Sequence, residues 1–176
     1  SGYPDGTFRP QGTVSRAEFC KLLLADLVDD NTAPTPGQPW YAPYADYAAA
    51  RGLTRAGLDW EAPIPRSEVA AMVCAFYGEA PTPLERRLAE AVTDFAEVPE
   101  AHRDAVLKAL ALGFMTGATG GTFRPLGSLT RAEAATVIAR VRGLLVPSGA
   151  EIPVLPVDGL KATGASRQII TVTTPT

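Results

Sequence analysis

Apolar residues recur with a helical spacing in several short stretches, each bounded by a cap or a glycine. From Pro99 to Leu112 the residues Val106, Leu107 and Leu110 fall on one face, and Gly113 ends the run. Trp40 to Arg51 has the same character and stops at Gly52, which makes Gly52-Leu53 and Gly113-Phe114 equivalent. Three further helices each start at a glutamate-bearing turn. With Glu18, Glu68 and Glu133 superposed, Leu22, Met72 and Val137 share one column and Leu23, Val73 and Ile138 the next. Thr82-Pro83-Leu84-Glu85 combines a hydroxyl cap, a proline at the first helical position and a glutamate three residues on, which predicts a short helix to about Ala91. Beyond Val146 the pattern changes. Pro147, Pro153 and Pro156 mark a linker, and residues 168–173, Gln-Ile-Ile-Thr-Val-Thr, read as a β-strand. A lone strand does not fold by itself, so it is an edge strand of this domain or the opening of another.

The three glutamate-bearing helices belong to a repeat. Gly6-Thr7-Phe8-Arg9-Pro10 returns as Gly121-Thr122-Phe123-Arg124-Pro125, an offset of 115, and nine of the thirteen positions from Gly6 to Glu18 match. Ser15-Arg16-Ala17-Glu18 and Thr130-Arg131-Ala132-Glu133 follow at the same distance, and Pro65-Arg66-Ser67-Glu68 is an altered third copy. The glutamates are 50 and 65 residues apart, the scale of stacked supersecondary units. The expected division is therefore a first repeat at 1–30, a second at 38–80, a third at 93–145, and a linker with a strand at 146–176. The first repeat reads as truncated, since its leading helix would precede Ser1, and the core is expected to have an open side there. Without an initiator Met or a leader pattern, the chain reads as a processed or trimmed piece.

Bulk properties narrow the chemistry. The net charge is −3, which gives no general attraction to nucleic acid or anionic lipid. The apolar run Leu22-Leu23-Leu24-Ala25 is broken by Asp26, far short of the roughly 20 residues of a membrane span. Cys20 and Cys74 make no metal pattern; two buried thiols are expected, with a disulfide or a reactive thiol as the alternatives. The single histidine, His102, sits among Glu100, Arg103 and Asp104 and is expected to face solvent. No nucleophile–base pair is evident, so the reading is non-catalytic, with no cofactor and no metal.

The repeated element carries the candidate chemistry. Ser15 with Glu18 and Thr130 with Glu133 are capping boxes, whereas Pro65 stands in the hydroxyl's place before Glu68. Arg16, Arg66 and Arg131 occupy the first helical position, where the helix dipole disfavours a cation. Beside free helix-start N–H groups they would form an anion site; alternatively they pair with a loop acid such as Asp5 or lie along apolar surface. Tyr3-Pro4-Asp5-Gly6 is a turn in which Gly6 takes positive φ. Asp5 either accepts from sugar hydroxyls or closes its own turn. Tyr3, Trp40 and Trp60 either stack on a sugar ring or pack. Phe8 and Phe123 are expected to plug the core. The second loop, Asp59-Trp60-Glu61-Ala62-Pro63, has lost Phe-Arg-Pro, and the third, entering at Gly117 and reaching Gly121, lacks the acid and the aromatic of the first.

Residues 2–10 with Ser15-Arg16-Ala17-Glu18, and Thr130-Arg131-Ala132-Glu133, resemble the S-layer homology (SLH) repeat, whose hallmark is such a loop followed by Thr-Arg-Ala-Glu. Trp40 before a short helix and Asp94-Phe95 before the third unit's helix are similar to that family's unit openings. The resemblance covers about residues 1–145. It implies an all-α, pseudo-threefold trefoil of helix–loop–helix repeats, here with a C-terminal extended segment. It also implies an extracellular module that anchors an exported protein to the cell wall. The implied partner is a secondary cell-wall polysaccharide, typically pyruvylated, or modified peptidoglycan, held in inter-repeat grooves. The motif arginines carry over as Arg16, Arg66 and Arg131, with Asp5, Gly6, Tyr3, Trp40 and Gly121 around them. Residues 164–176 faintly resemble the start of domains that precede cell-wall transpeptidases, which gives the alternative of a targeting region for a peptidoglycan-processing enzyme.

Overall fold

A computed structural model describes residues 5–28, 34–77, 88–118 and 120–143. Tyr3, residues 82–87 of the helix expected to run to about Ala91, and the linker and strand after residue 143 lie outside these residues, and Leu88–Ala91 forms a 3₁₀ turn. The described part is all-α, built of α1 (Arg16–Leu24), α2 (Ala42–Ala50), α3 (Arg66–Tyr77), α4 (Arg103–Ala111) and α5 (Arg131–Val141), with short 3₁₀ turns before α4. The expected Pro99–Leu112 helix divides into a 3₁₀ turn at Glu100–His102 and α4 proper. Trp40 lies just ahead of α2. Gly52 and Gly113 end α2 and α4 at φ +67° and +69°, the left-handed stop that glycine permits.

The centre is a closed ring of backbone. The segment ahead of α1, the one ahead of α3 and the one ahead of α5 meet edge to edge. Ile64 N–H donates to the Val14 carbonyl (2.9 Å), Val14 N–H to Leu129 (3.0 Å) and Leu129 N–H to Ile64 (3.1 Å). The side chains of these three residues are fully buried. One turn of this ring satisfies three amides in a core where an unpaired amide would cost about 1–3 kcal/mol. It also fixes where α1, α3 and α5 begin.

Each of these helices is then started by its neighbour's loop. The N–H groups of Arg16 and Ala17 donate to the carbonyls of Ala62 and Trp60, those of Arg66 and Ser67 to Gly127 and Pro125, and those of Arg131 and Ala132 to Gly12 and Pro10. The middle loop, whose sequence looks degenerate, delivers its carbonyls like the others because Asp59 accepts from Glu61 N–H and Ala62 N–H and holds the turn. α2 packs on α1 and α4 on α3, so each leading helix covers the core helix of the preceding unit. Cys20 and Cys74 lie in these two seams as free, buried thiols, donating to the Tyr44 and Ala105 carbonyls. Burial pushes the Cys20 thiol up to about 12, which leaves it protonated and inert.

The repeat does not bury its residues evenly. Phe123 is fully buried, but Phe8 is 46% exposed, which corrects the expectation that both plug the core. Met72 and Val137 are buried while Leu22, their counterpart, is exposed. Phe8 meets Arg131 at the start of α5 and Leu22 meets Arg142 just past its end, so both border α5, and among the described residues no leading helix packs on α5 as α2 packs on α1.

Candidate functional site

The two hydroxyl caps form as their residue types dictate. Ser15 Oγ accepts from Glu18 N–H while Glu18 Oε2 accepts from Ser15 N–H, and Thr130 with Glu133 repeats the pattern. Pro65 has no N–H, so Glu68 has no cap to reach back to. Both its oxygens turn instead to Arg16, whose Nε and Nη2 lie 2.8–3.0 Å away.

Helix-start N–H groups are therefore not free. In α1 and α5 the first two go to the neighbouring loop and the third to the cap hydroxyl. An anion site at those helix starts, as the sequence suggested, has no donors left. The arginines at the same positions are committed too. Arg16 pairs with Glu68, Arg66 with Glu133 (3.0 Å) and Arg131 with Glu18 (3.8 Å), each from one unit to the next around the ring. Arg66 also donates through Nε to the Phe123 carbonyl and through Nη2 to Thr116, and its guanidinium lies 5.1 Å from the Phe123 ring centre. Arg131 repeats this over Phe8, donating to its carbonyl with the ring 5.0 Å away. The three side chains are only 14%, 7% and 15% exposed in chain order. Burial lowers the pKa of Arg66, the Glu133 charge opposes this, and Arg124 adds to it.

Asp5 pairs with none of these arginines. It closes its own turn, accepting from the Thr7 hydroxyl, from Thr7 N–H and from Arg9, contacts that hold its carboxyl below the usual range, the Thr7 hydroxyl foremost. Gly6 has φ +77° in that turn. Gly121 has φ +74°, and a Cβ there would lie 3.2 Å from the Ala91 carbonyl oxygen, so this glycine lets the third loop seat on residues 91–93. Trp40 is exposed and meets Tyr41 edge-on, and Tyr41 stacks on Trp60 at 6.0 Å. His102 is half-buried rather than solvent-facing, 3.4 Å from the Ser67 hydroxyl, with its pKa lowered by burial.

One groove open to a ligand, of about 290 Å³, lies between α5 and the chain leaving α4. Met115 and Val137 form its apolar floor and Thr136 lies on its wall. Three arginines, Arg66, Arg124 and Arg140, line it against one carboxylate, Glu133. Arg66 forms its inner end, already satisfied, while the Arg124 side chain is 56% exposed. The loop holding Arg124 is pinned by Asp94, whose two oxygens accept from Phe123 N–H and Arg124 N–H at 2.7 Å. Arg124 and Arg140 were not singled out from the sequence. The available signal was Arg9 and Arg124 recurring at one place in both full loops, an arginine that neither a cap nor a turn requires.

Glu133 links ring and groove. Burial pushes its carboxyl up, but hydrogen bonds from the Thr130 N–H and hydroxyl, with the charges of Arg66 and Arg124, outweigh that and hold it below the usual value of 4.5. Since the folded pKa is the lower one, this contribution to stability is complete above pH 4.5 and is lost as pH falls through the folded value. A carboxyl NMR titration is expected to place Glu133 below 4.5 in the wild type and higher in Arg66→Ala; a wild-type midpoint at or above 4.5 contradicts the assignment.

Residues 1–20 and 93–135 match the S-layer homology domain. The chain carries S-layer homology repeats. These are non-catalytic modules of cell-surface anchoring, found on proteins held at the bacterial wall. The middle unit, with its proline cap and shortened loop, falls outside the two matched stretches. Over 158 residues the S-layer homology chain is 30% identical to the amylopullulanase of Thermoanaerobacterium thermosulfurigenes, covering 84% of this chain and 8% of that protein. Over 159 residues it is 29% identical to cell surface glycoprotein 1 of Acetivibrio thermocellus, covering 79% of this chain and 7% of the other. Exoglucanase XynX of Acetivibrio thermocellus is 26% identical over 147 residues, with coverages of 78% and 14%. The chain thus spans no more than 14% of the length of these relatives.

Proposed function

We propose that these repeats attach a longer exported protein non-covalently to the cell wall, by binding an acidic wall glycan such as a pyruvylated secondary polysaccharide. The observation that carries this reading is the groove beside α5, where an apolar floor of sugar size lies under a surplus of guanidinium groups. A carboxylate on a sugar ring matches a guanidinium bidentately, and the ring covers apolar floor. Among the described residues no helix is long and apolar enough to cross a membrane. Modified peptidoglycan is the other wall polymer that offers such a carboxylate.

Two of the relatives are enzymes by name, which supports a second, compatible reading in which this segment targets a catalytic domain to the wall. The test of anchoring is sedimentation with purified sacculi. Retention is expected on intact sacculi and loss after acid extraction of the secondary polysaccharide. Equal retention on both overturns the polysaccharide ligand in favour of peptidoglycan, and retention on neither overturns wall binding.

A further inference from the structure

Two equivalent grooves are lined by described residues, and they differ in charge. The groove of the third unit has three arginines to one carboxylate. The corresponding groove of the second unit, about 340 Å³, is lined by Arg55, Glu68 and His102 among apolar residues. By the register of the two glutamates, Arg124 corresponds to Asp59 and Arg140 to Ala75. Both cations that face the opening in the third unit are therefore missing from the second. Asp59 is turned back on its own loop, and Glu68 is held by Arg16.

We infer that the acidic group of the glycan is taken by the third unit's groove alone of these two, and that Arg124 and Arg140, not the repeated helix-start arginine, grip it. The inference rests on the glycan reading above and names its binding residues. Arg66 has its guanidinium spent on two carbonyls and Glu133. Arg124 reaches Glu133 only at 3.5 Å and keeps donors toward solvent. The Arg140 side chain takes part in no hydrogen bond or ion pair among the described residues. One turn back on α5, Thr136 adds a hydroxyl oxygen that accepts from a sugar hydroxyl while its own proton goes to Ala132. Asp94, the other acid close by, spends both oxygens on backbone amides and takes no side-chain donor from Arg124 or Arg140.

The backbone supports the same assignment. Arg124 sits at φ +55° ahead of Pro125, a left-handed conformation that Arg9 shares at φ +51° and in which glycine would be at ease. Asp94 and the Gly127 N–H hold it there. That geometry aims an arginine across the mouth of the groove toward α5.

The experiment uses the full chain, a methyl glycoside of a pyruvyl-ketal N-acetylhexosamine, and the same glycoside without the ketal. Calorimetric titration is expected to show binding that needs the ketal, a Kd weakened about 30-fold or more in the double variant Arg124→Gln/Arg140→Gln, and a Kd within twofold of wild type in Arg55→Gln. Arg140→Gln, which leaves the loop untouched, is expected to weaken binding by itself about fivefold or more. Shifts of the Ala118 and Thr136 amides on titration locate the ligand. Unchanged affinity in the double variant, or an equal loss in Arg55→Gln, overturns the assignment and leaves wall binding standing. No binding of either glycoside by the wild type, together with no retention on sacculi, overturns the glycan reading itself.

Discussion

Phe123→Ala is expected to lower folding stability by about 3–5 kcal/mol, whereas Phe8→Ala lowers it by less than about 1 kcal/mol. The two phenylalanines occupy the same place in Gly-Thr-Phe-Arg-Pro and both lie under a guanidinium. Only Phe123 is sealed, below Arg66 and beside a loop tied down by Asp94. Its loss opens a cavity at the junction of α3 and the third loop, while Phe8 gives up contacts on a surface already 46% open. Urea denaturation of both variants measures the difference. Losses of similar size would mean that Phe8 is covered in solution.

Arg66→Ala is expected to cost about 3–5 kcal/mol, because it removes a buried guanidinium that serves two carbonyls and a carboxylate at once. The Phe123 and Thr116 carbonyls lose a donor, and Glu133 loses its nearer arginine and is left with Arg124 at 3.5 Å. Arg66→Met combined with Glu133→Gln recovers a good part of the loss, since the amide still caps α5 and the thioether fills the space. Arg124→Ala at the exposed end of the same groove is expected to cost at most about 0.5 kcal/mol. If Arg66→Ala and Arg124→Ala proved equally mild in urea, the ring of ion pairs would not be a structural tie.

What could be read ahead of the structure was what the chain settles locally. Ser15 with Glu18, Thr130 with Glu133, and the glycine stops at Gly52 and Gly113 involve partners within a turn, and their geometry follows from residue type. The partners of the arginines were hidden for the opposite reason. The cost of a cation at a helix start was visible, but its compensation comes from a glutamate on the next unit, with Arg16 and Glu68 52 residues apart and Arg66 and Glu133 67. Helix-start amides looked free because their acceptors, such as the Ala62 and Gly127 carbonyls, belong to another repeat. The same distance effect hid Arg124 and Arg140, which meet in one groove only after the third loop folds across α5. Sequence similarity also concealed a difference: identical loop residues at Phe8 and Phe123 end in different environments because burial depends on what packs over them.

The three-way exchange of amides among Val14, Ile64 and Leu129 has a bearing on how such modules multiply. A solenoid lengthens by adding a repeat at an open end, because each unit needs only a neighbour on one side. Here the third unit hands its backbone back to the first, so among the described residues the ring has no unpaired position for a fourth segment. A protein needing a firmer hold on its wall gains it by carrying another complete trio on a tether, where the second trio benefits from effective concentration, and not by stretching this one. Attachment strength in this architecture is therefore counted in threes.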